Sequence, residues 1–283
     1  MKIGFLNACM HADLEEEIIP WANEAGFQAM EVGGIHAGFF RKEYADDIKQ
    51  MLLNADFEIS ALGSFNNHLK GDTATIEKNF KQFRDAVDAA QVLEIPIVTT
   101  FVGMNNQLDY DGNLKLFERF WLPEIEYAND LGIKIAIENC PAKSDYGLIG
   151  NNLMFCPGIW EDIFNMTPEN FGLNFDPSHL VWQRIDVNKV ARKFATRIFH
   201  VHVKDTEIIE DSLAEEGVFG NGTYIFRIPG KGLVDWRGMI DALGSVNYDG
   251  VMSIELEDPK YTGDIEKVKE GLLLSKQFLE VTL

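Results

Sequence analysis

Ionisable side chains end four successive apolar segments in the second half of this sequence. Glu138 closes KIAIE, Asp176 follows FGLNF, His200 and His202 lie in IFHVHV, and Glu255 follows VMSI. A buried carboxylate without a partner costs several kcal/mol or takes up a proton, so solvation explains this series poorly. One divalent cation held by two Glu, one Asp and one His would satisfy the groups together. Three oxygen ligands and one nitrogen ligand suit Mn²⁺, Co²⁺, Mg²⁺ or Zn²⁺ without separating them.

Each of these residues taken alone also has an ordinary structural explanation. A single Glu at the end of a strand is most often solvated, and Asp-Pro-Ser-His after a strand is most often a turn in which Asp176 caps a helix and Pro177 begins it. His200 and His202 share one face of a strand, because side chains alternate with a period of two. The joint placement of these groups at one end of consecutive strands is what favours the metal.

The elements that must position these groups alternate regularly along the chain. Eight strand–helix units in 283 residues predict a (β/α)₈ TIM barrel of the α/β class, as one domain spanning residues 1–283. In such a barrel the loops that follow the strands form the active-site face. The predicted strands are KIGFLN, AMEVGG, EISALGSF, IPIVTTFV, KIAIEN, FGLNFD, IFHVHV and GVMSIEL.

Helix signals and two long connections complete this organisation. Asp13 is a predicted N-cap, and Pro20 is expected to kink the helix that follows it. The connections from Pro141 to about Trp160 and from Lys204 to Asp235 are unusually long. Long connections inside compact domains are usually functional, so both are expected to lie near the substrate.

Composition limits the classes of partner. The formal net charge of −20 is spread along the chain, which disfavours nucleic acid and anionic membranes and is compatible with a small neutral or metal-bound ligand. Three cysteines without CxxC spacing predict reduced thiols, and the N-terminus lacks the features of a signal peptide, so a cytoplasmic location is expected. Association into a homo-oligomer is left open.

The segments IAIENCP, GLNFDPSHLVWQ, IFHVHVKDTE, RIPGKGLVDW and GVMSIELEDP together resemble the xylose isomerase-like TIM barrel family, the sugar phosphate isomerase/epimerase superfamily. The resemblance extends along the whole chain. Its members include ketose 3-epimerases, inosose dehydratases, hydroxypyruvate isomerases and endonuclease IV. It implies that a metal is held by Glu138, Asp176, His202 and Glu255, with His200 behind them. It also implies that His179 faces the substrate or, as in the endonuclease branch, a second metal.

Two departures from the family pattern narrow the activity. The region FRIPGKGLVDW lacks the Asp-x-His pair that the endonuclease branch uses, which argues against DNA repair. The ketose epimerases carry a further Glu shortly after the ligand on strand five, where this chain has Ser144 or Asp145. The contacts to a sugar are therefore expected to differ from those of the epimerases.

The resulting hypothesis is a metal-dependent sugar isomerase or epimerase of carbohydrate metabolism. Glu138 and Glu255, on different strands, would remove a proton beside a carbonyl and return it, through a metal-stabilised enediolate. Return to the other face gives epimerisation, and return to the neighbouring carbon gives isomerisation. Loss of a β-hydroxyl gives dehydration, so the alternative is an inosose dehydratase-like lyase that acts on a keto-polyol. A sugar-binding protein without catalysis is a third hypothesis.

Several further side chains are candidates for substrate contacts. Lys204 would neutralise a substrate oxygen or phosphate, or else pair with Asp205. Glu31, at the end of strand two, is a polar rim candidate. The other candidates are His68 after strand three for a hydroxyl, Arg227 in the seventh loop for a distal group, and Trp182, Phe65 and Trp160 for stacking on a sugar face.

Overall fold

Eight parallel strands close into a barrel in the computed structural model, which describes residues 1–142 and 150–283. The order around the ring is β1-β10-β7-β6-β5-β4-β3-β2, and every neighbouring pair is parallel. The predicted TIM barrel is therefore confirmed. The barrel strands are β1 (Lys2–Leu6), β2 (Ala29–Val32), β3 (Glu58–Gly63), β4 (Ile97–Thr100), β5 (Lys134–Glu138), β6 (Phe171–Phe175), β7 (Ile198–Val203) and β10 (Val251–Ile254).

Helices surround the barrel and connect its strands. Among the described residues, no helix combines the length and the apolar character that crossing a membrane requires. Their bounds are α1 (Ile19–Glu24), α2 (Gly34–Ala37), α3 (Ala45–Leu52), α4 (Thr73–Val92), α5 (Tyr110–Asp130), α6 (Pro157–Phe164), α7 (Pro177–Trp182), α8 (Val187–Phe194), α9 (Glu210–Glu216), α10 (Trp236–Gly244) and α11 (Ile265–Thr282).

The long seventh connection contains regular structure that the sequence analysis treated as loop. Strands β8 (Asp205–Ile208) and β9 (Tyr224–Arg227) pair antiparallel and hold α9 between them. The Asp205 carboxylate fastens this hairpin, because it accepts hydrogen bonds from the backbone N–H groups of Gly230 and Val234 at 2.9 and 3.0 Å. The hairpin consequently has a fixed position beside the barrel mouth.

The main apolar core lies between the barrel and the helices. Phe117 and Trp121 of α5 pack on Phe171 of β6, with ring centroids 5.8 and 6.0 Å apart. Trp160 of α6 packs in the same way on Phe175, at 6.4 Å. Since alternate residues of a strand face opposite sides, this outward apolar row leaves the inward row of β6 free to carry polar groups.

Bulges in two strands adjust which side chains point into the barrel. In β7, Phe199 is an extra residue against β6, because Leu173 pairs with Ile198 while Asn174 pairs with His200. A Cβ on Gly172 would lie 2.6 Å from the Phe199 ring, so glycine makes room for the bulge. A similar shift lies between β2 and β3. Bulges commonly re-aim side chains near functional sites, and both of these lie below the barrel mouth.

The predicted signals at helix starts are confirmed locally. The Asp13 carboxylate accepts from the backbone N–H of Glu16, and a π-helical turn over Leu14–Ile18 precedes α1. Pro20 lies in the first turn of α1, where its missing N–H leaves no bond unmade. Where the sequence predicted a kink near Pro20, the helix changes from a π-helical turn to an α-helix.

Candidate metal centre

Four strand ends bring three carboxylates and one imidazole to the same point. Glu138 is the last residue of β5, Asp176 follows β6, His202 lies in β7, and Glu255 follows β10. One donor atom from each residue lies within 4.8 Å of the donor atoms of the other three. The structure therefore assembles the group that the sequence predicted.

The inward donor atoms of this cluster are better placed to bind a shared cation than to hydrogen-bond to one another. His202 Nδ1 lies 3.0 Å from Glu255 Oε2 and 3.7 Å from Glu138 Oε2. Among the described residues, His202 Nδ1 and Asp176 Oδ2 are buried without a hydrogen bond of acceptable geometry. Buried polar atoms are normally satisfied, so such atoms converging on one point suggest an additional ligand. Three carboxylates and an imidazole are suitable donors for a divalent metal.

Asp176 reaches the cluster because it also begins a helix. Its Oδ1 accepts from the backbone N–H of Ser178 at 2.8 Å, and Pro177 occupies the first position of α7. The helix cap predicted from the sequence is therefore present. The cap uses one carboxylate oxygen and leaves Oδ2 directed at the cluster. The structural and functional readings of this turn are compatible.

Glu31 fixes the orientation of His202 from below. Its Oε2 lies 2.8 Å from His202 Nε2, and the carboxylate also accepts from Thr99 Oγ1 at 2.6 Å and Ser253 Oγ at 3.1 Å. Burial alone would raise the pKa of Glu31, but the charges of His202 and His200 lower it to about 2. A hydrogen on Nε2 leaves the Nδ1 lone pair facing the cluster, an arrangement typical of metal-binding histidines. Glu31 is fully buried and does not lie at the rim.

His200 belongs to a second buried layer. Its Nδ1 lies 3.1 Å from Asn174 Oδ1, and its Nε2 lies 3.1 Å from Ser60 Oγ. Burial lowers the pKa of His200 to about 4, which keeps the ring neutral near pH 7. Asn174 Nδ2 is also 2.9 Å from His202 Nε2. His200 thus lies behind the four clustered residues, where the family resemblance placed it.

Lys204 places an ammonium group among the carboxylates. Its Nζ lies 2.7 Å from Glu255 Oε2, 2.8 Å from Glu257 Oε2 and 3.0 Å from Asp176 Oδ2. Burial opposes the charge, but these acids raise the pKa of Lys204 well above its usual value. In return, Lys204 and His202 lower the pKa of Glu255 to about 2 against the effect of burial. Lys204 therefore stays protonated inside the cluster, and its partners do not include Asp205.

A cavity of about 350 Å³ opens beside the four-residue cluster. Glu138, Glu255, His179 and Lys204 reach it from the barrel. Aromatic rings form much of its wall, as expected for a site that binds a small ligand with a few placed polar groups. These rings belong to Phe65, Phe101, Trp182, Tyr224 and Phe226.

Besides Phe65, three of the predicted contacts face this cavity. Trp182 stacks on Tyr224 of the hairpin, with ring centroids 5.1 Å apart and planes 6° apart. His179 Nε2 lies 3.2 Å from Asp176 Oδ2, and its ring meets Phe226 edge-on at 5.4 Å. Lys204 is the third. All three can therefore touch a molecule held in the mouth.

Three other predicted contacts lie elsewhere. Trp160 packs on Phe175 in the outer core, and its indole N–H donates to the backbone carbonyl of Met154 at 2.8 Å. Arg227 is held by Glu207 at 2.7 Å and by Asp258 at 3.2 Å. His68 is buried against the rings of α4 and α5, and its Nε2 lies 2.9 Å from Thr100 Oγ1. Within the described part of the chain, none of these three residues lines the mouth cavity. Their contact with substrate remains a prediction. Ser144 and Asp145, which stand near the place where the ketose epimerases carry a further Glu, lie outside the described residues.

Sequence reasoning did not assign a role to several residues of this cavity, including Cys140, Glu257 and Phe226. Cys140 and Glu257 each lie two positions beyond a predicted ligand, Glu138 and Glu255, and both line the mouth. The period of two in a strand is the signal that could have found them. Phe226 carried no such signal, because β9 reaches the mouth only through the hairpin.

Known proteins with similar sequences and folds agree with this architecture. The family model described as xylose isomerase-like TIM barrel matches residues 19–278. An inosose dehydratase of Clostridium perfringens (strain ATCC 13124) is 28% identical over 254 residues, which cover 86% of this chain and 82% of that protein.

Solved structures are similar at the level of the fold. A crystal structure described as IOLI protein with a binding zinc atom has a TM-score of 0.75 at 17% identity, covering 99% of this chain and 97% of the other. A D-psicose 3-epimerase solved in the presence of D-fructose has a TM-score of 0.71 at 18% identity, covering 100% and 99%. Together with the family match over most of its length, this places the chain in the xylose isomerase-like TIM barrel family.

Proposed function

We propose that this protein is a divalent-metal-dependent enzyme that moves a proton at the carbon beside the carbonyl of a small sugar or polyol. The observation that carries the proposal is the convergence of Glu138, Asp176, His202 and Glu255 within 4.8 Å, beside a cavity that Glu138 and Glu255 line. These four residues would hold the metal, for which Mn²⁺, Co²⁺, Mg²⁺ and Zn²⁺ are all candidates. When bound, the metal supplies positive charge that stabilises negative charge developing on the substrate oxygens.

Two carboxylates of the chain would carry the proton. Glu138 and Glu255 end β5 and β10, which lie three strands apart around the ring, so they approach a bound molecule from different sides. One removes the proton and the other returns it. Return to the opposite face of the same carbon gives an epimer, and return to the neighbouring carbon gives an isomer. A sugar isomerase or epimerase is the first candidate on this basis.

A dehydratase is the second candidate, and two specific observations favour it. The relative that is 28% identical over 86% of this chain is named an inosose dehydratase. The Lys204 ammonium also lies 2.7 Å from Glu255 Oε2 at the cavity wall, where it could donate a proton to a departing hydroxyl. Removal of the proton beside the carbonyl, followed by loss of the β-hydroxyl as water, would yield an unsaturated ketone.

The cavity supports a small hydroxylated substrate. Its volume of about 350 Å³ suits a monosaccharide or cyclitol, and its aromatic rings suit the apolar face of a sugar. We propose that residues 1–283 act as one catalytic domain, in the cytoplasm, as expected for three free cysteines. His179, Lys204 and Trp182 would contact the substrate from the cavity wall.

Isotope exchange tests the proposal and separates its two forms. Purified protein is incubated in deuterated buffer with Mn²⁺ or Co²⁺ and a panel of ketoses and keto-inositols, followed by mass spectrometry and NMR. Deuterium at the carbon beside the carbonyl, with a new epimer or isomer, supports the first candidate. A product lighter by one water supports the second.

Matched variants make the exchange experiment specific. Glu138→Gln and Glu255→Gln should lose exchange, whereas Glu215→Gln, on the exposed side of α9, should retain it. Ligand binding without exchange into any sugar of the panel would contradict catalysis and support a binding protein.

A further inference from the structure

The two carboxylate oxygens of Glu138 point to different groups. Oε2 faces the four-residue cluster and lies 3.7 Å from His202 Nδ1. Oε1 lies on the other side, 3.4 Å from His179 Nε2. A carboxylate arranged in this way can serve two cations, one through each oxygen.

A second set of donors surrounds Oε1. Donor atoms of Glu138, Cys140 and His179 all lie within 4.8 Å of one another. His179 is 4% exposed, and its Nε2 has no hydrogen bond of acceptable geometry among the described residues. Cys140 lies two residues after Glu138, and both Cys140 and His179 line the mouth cavity. A thiol, an imidazole and a carboxylate oxygen therefore converge beside the cavity.

We propose that Glu138, Cys140 and His179 form a second divalent-cation site, which shares Glu138 with the four-residue cluster. The donor set contains one sulfur, one nitrogen and one oxygen, which suits Zn²⁺ or Co²⁺ and suits Mg²⁺ poorly. Three protein ligands leave a coordination position open toward the cavity, as in zinc sites that bind a substrate or water. The cluster with three carboxylates differs, because it also accepts harder cations such as Mn²⁺.

Local packing keeps these donors in place. The His179 ring meets Phe226 edge-on at 5.4 Å, which fixes the direction of Nε2. The backbone N–H of Ala142 donates to Cys140 Sγ at 3.3 Å, which helps to hold the sulfur atom in place. The competing role for His179 is a direct hydrogen bond to a substrate hydroxyl. The two roles differ in whether Cys140 participates.

Cobalt titration of the metal-free full-length protein separates these roles, because a thiolate bound to Co²⁺ absorbs in the near ultraviolet and carboxylate or imidazole ligands do not. We expect two equivalents of Co²⁺ by equilibrium dialysis, with the near-ultraviolet band present in the wild type. Cys140→Ser and His179→Gln should each lose one equivalent, and the serine variant should lose the band. Cys156→Ser and Cys9→Ser keep all three donors, so each variant should bind two equivalents of Co²⁺ and show the near-ultraviolet band.

The result does not depend on turnover, so it can fail or succeed independently of the proposed enzyme activity. Circular dichroism of each variant establishes that the barrel is folded before metal is added. A wild type that binds Co²⁺ without the thiolate band would overturn the second site, as would a band of unchanged intensity in Cys140→Ser. If the wild type binds one equivalent of Co²⁺ and still shows the thiolate band, the second site is supported. The assignment of a metal to the four-residue cluster is then wrong.

Discussion

Replacement of Glu31 by Gln tests whether a residue on β2 controls a metal site assembled by other strands. Glu31 does not belong to the four-residue cluster, and it contacts the cluster through Oε2, which lies 2.8 Å from His202 Nε2. Glutamine has the same shape, and the hydroxyls of Thr99 and Ser253 can rotate to serve its amide. The substitution therefore removes the negative charge while the packing is kept.

The expected loss follows from the role of such partners. A carboxylate behind a ligating histidine fixes the ring and increases the basicity of its free nitrogen, and its loss typically weakens metal binding about 10- to 100-fold. This corresponds to about 1.4 to 2.7 kcal/mol of binding free energy. The pKa of Glu31 is lowered to about 2, so the carboxylate is ionised throughout a titration near pH 7. The wild type thus keeps its full charge during the measurement.

The assay is a Mn²⁺ titration by calorimetry or by competition with a chelator, on protein shown by circular dichroism to be folded. Thr99→Val is the matched control, because it removes the 2.6 Å hydrogen bond to Oε1 and leaves His202 on Oε2. We expect a smaller loss for this control. Unchanged Mn²⁺ affinity in Glu31→Gln, or an equal loss in Thr99→Val, would refute the reasoning.

Further outcomes are expected from the same geometry. Asp176→Asn and His202→Ala should each lower bound metal sharply without unfolding the barrel, and near-stoichiometric metal in both purified variants would reject the ligand assignment. Lys204→Met should lower the unfolding free energy of metal-free protein by about 3 to 5 kcal/mol, because buried carboxylates lose their counter-ion. Mn²⁺ should restore its melting temperature by a larger increment than in the wild type. Burial lowers the pKa of His68 from 6.5 to about 4, so between these values the unfolded chain binds more protons and stability falls as pH falls. This contribution amounts to about 3 kcal/mol at most. In chemical denaturation between pH 7 and pH 4, the unfolding free energy of His68→Gln should therefore depend less steeply on pH than that of the wild type. An equal pH dependence in the two proteins would exclude this contribution of His68.

Some features of the site depended on short stretches of sequence and were therefore predictable. The turn at Asp176 is an example, since an acid followed by proline both caps α7 and directs its second oxygen inward. The position of Asp176 at the start of α7 is confirmed, and its role as a metal ligand stays a prediction. The spacing of His200 and His202 likewise placed two imidazoles on one face of β7.

Other features depended on contacts between distant segments. Arg227 lies in β9, and only the folded hairpin shows that Glu207 and Asp258 hold its guanidinium away from the mouth cavity. Lys204 pairs with acids from β6 and β10 instead of its neighbour Asp205, whose carboxylate is used by the hairpin. Neighbours in sequence were a poor guide in both cases, because the buried charges found partners across the barrel.

The sequence by itself determined the barrel and the four residues at its mouth. Alternating strands and helices dictate a parallel ring, and the carboxyl ends of parallel strands must meet on one side, so Glu138, Asp176, Glu255 and a histidine of strand seven were expected to converge. The family resemblance selected His202 over His200. Only the tertiary structure decided what surrounds them. The contact of Glu31 with His202 and the approach of His179 to Cys140 depend on the ring closure, the bulge in β7 and individual side-chain rotamers. No local pattern encodes these, because each joins elements far apart along the chain.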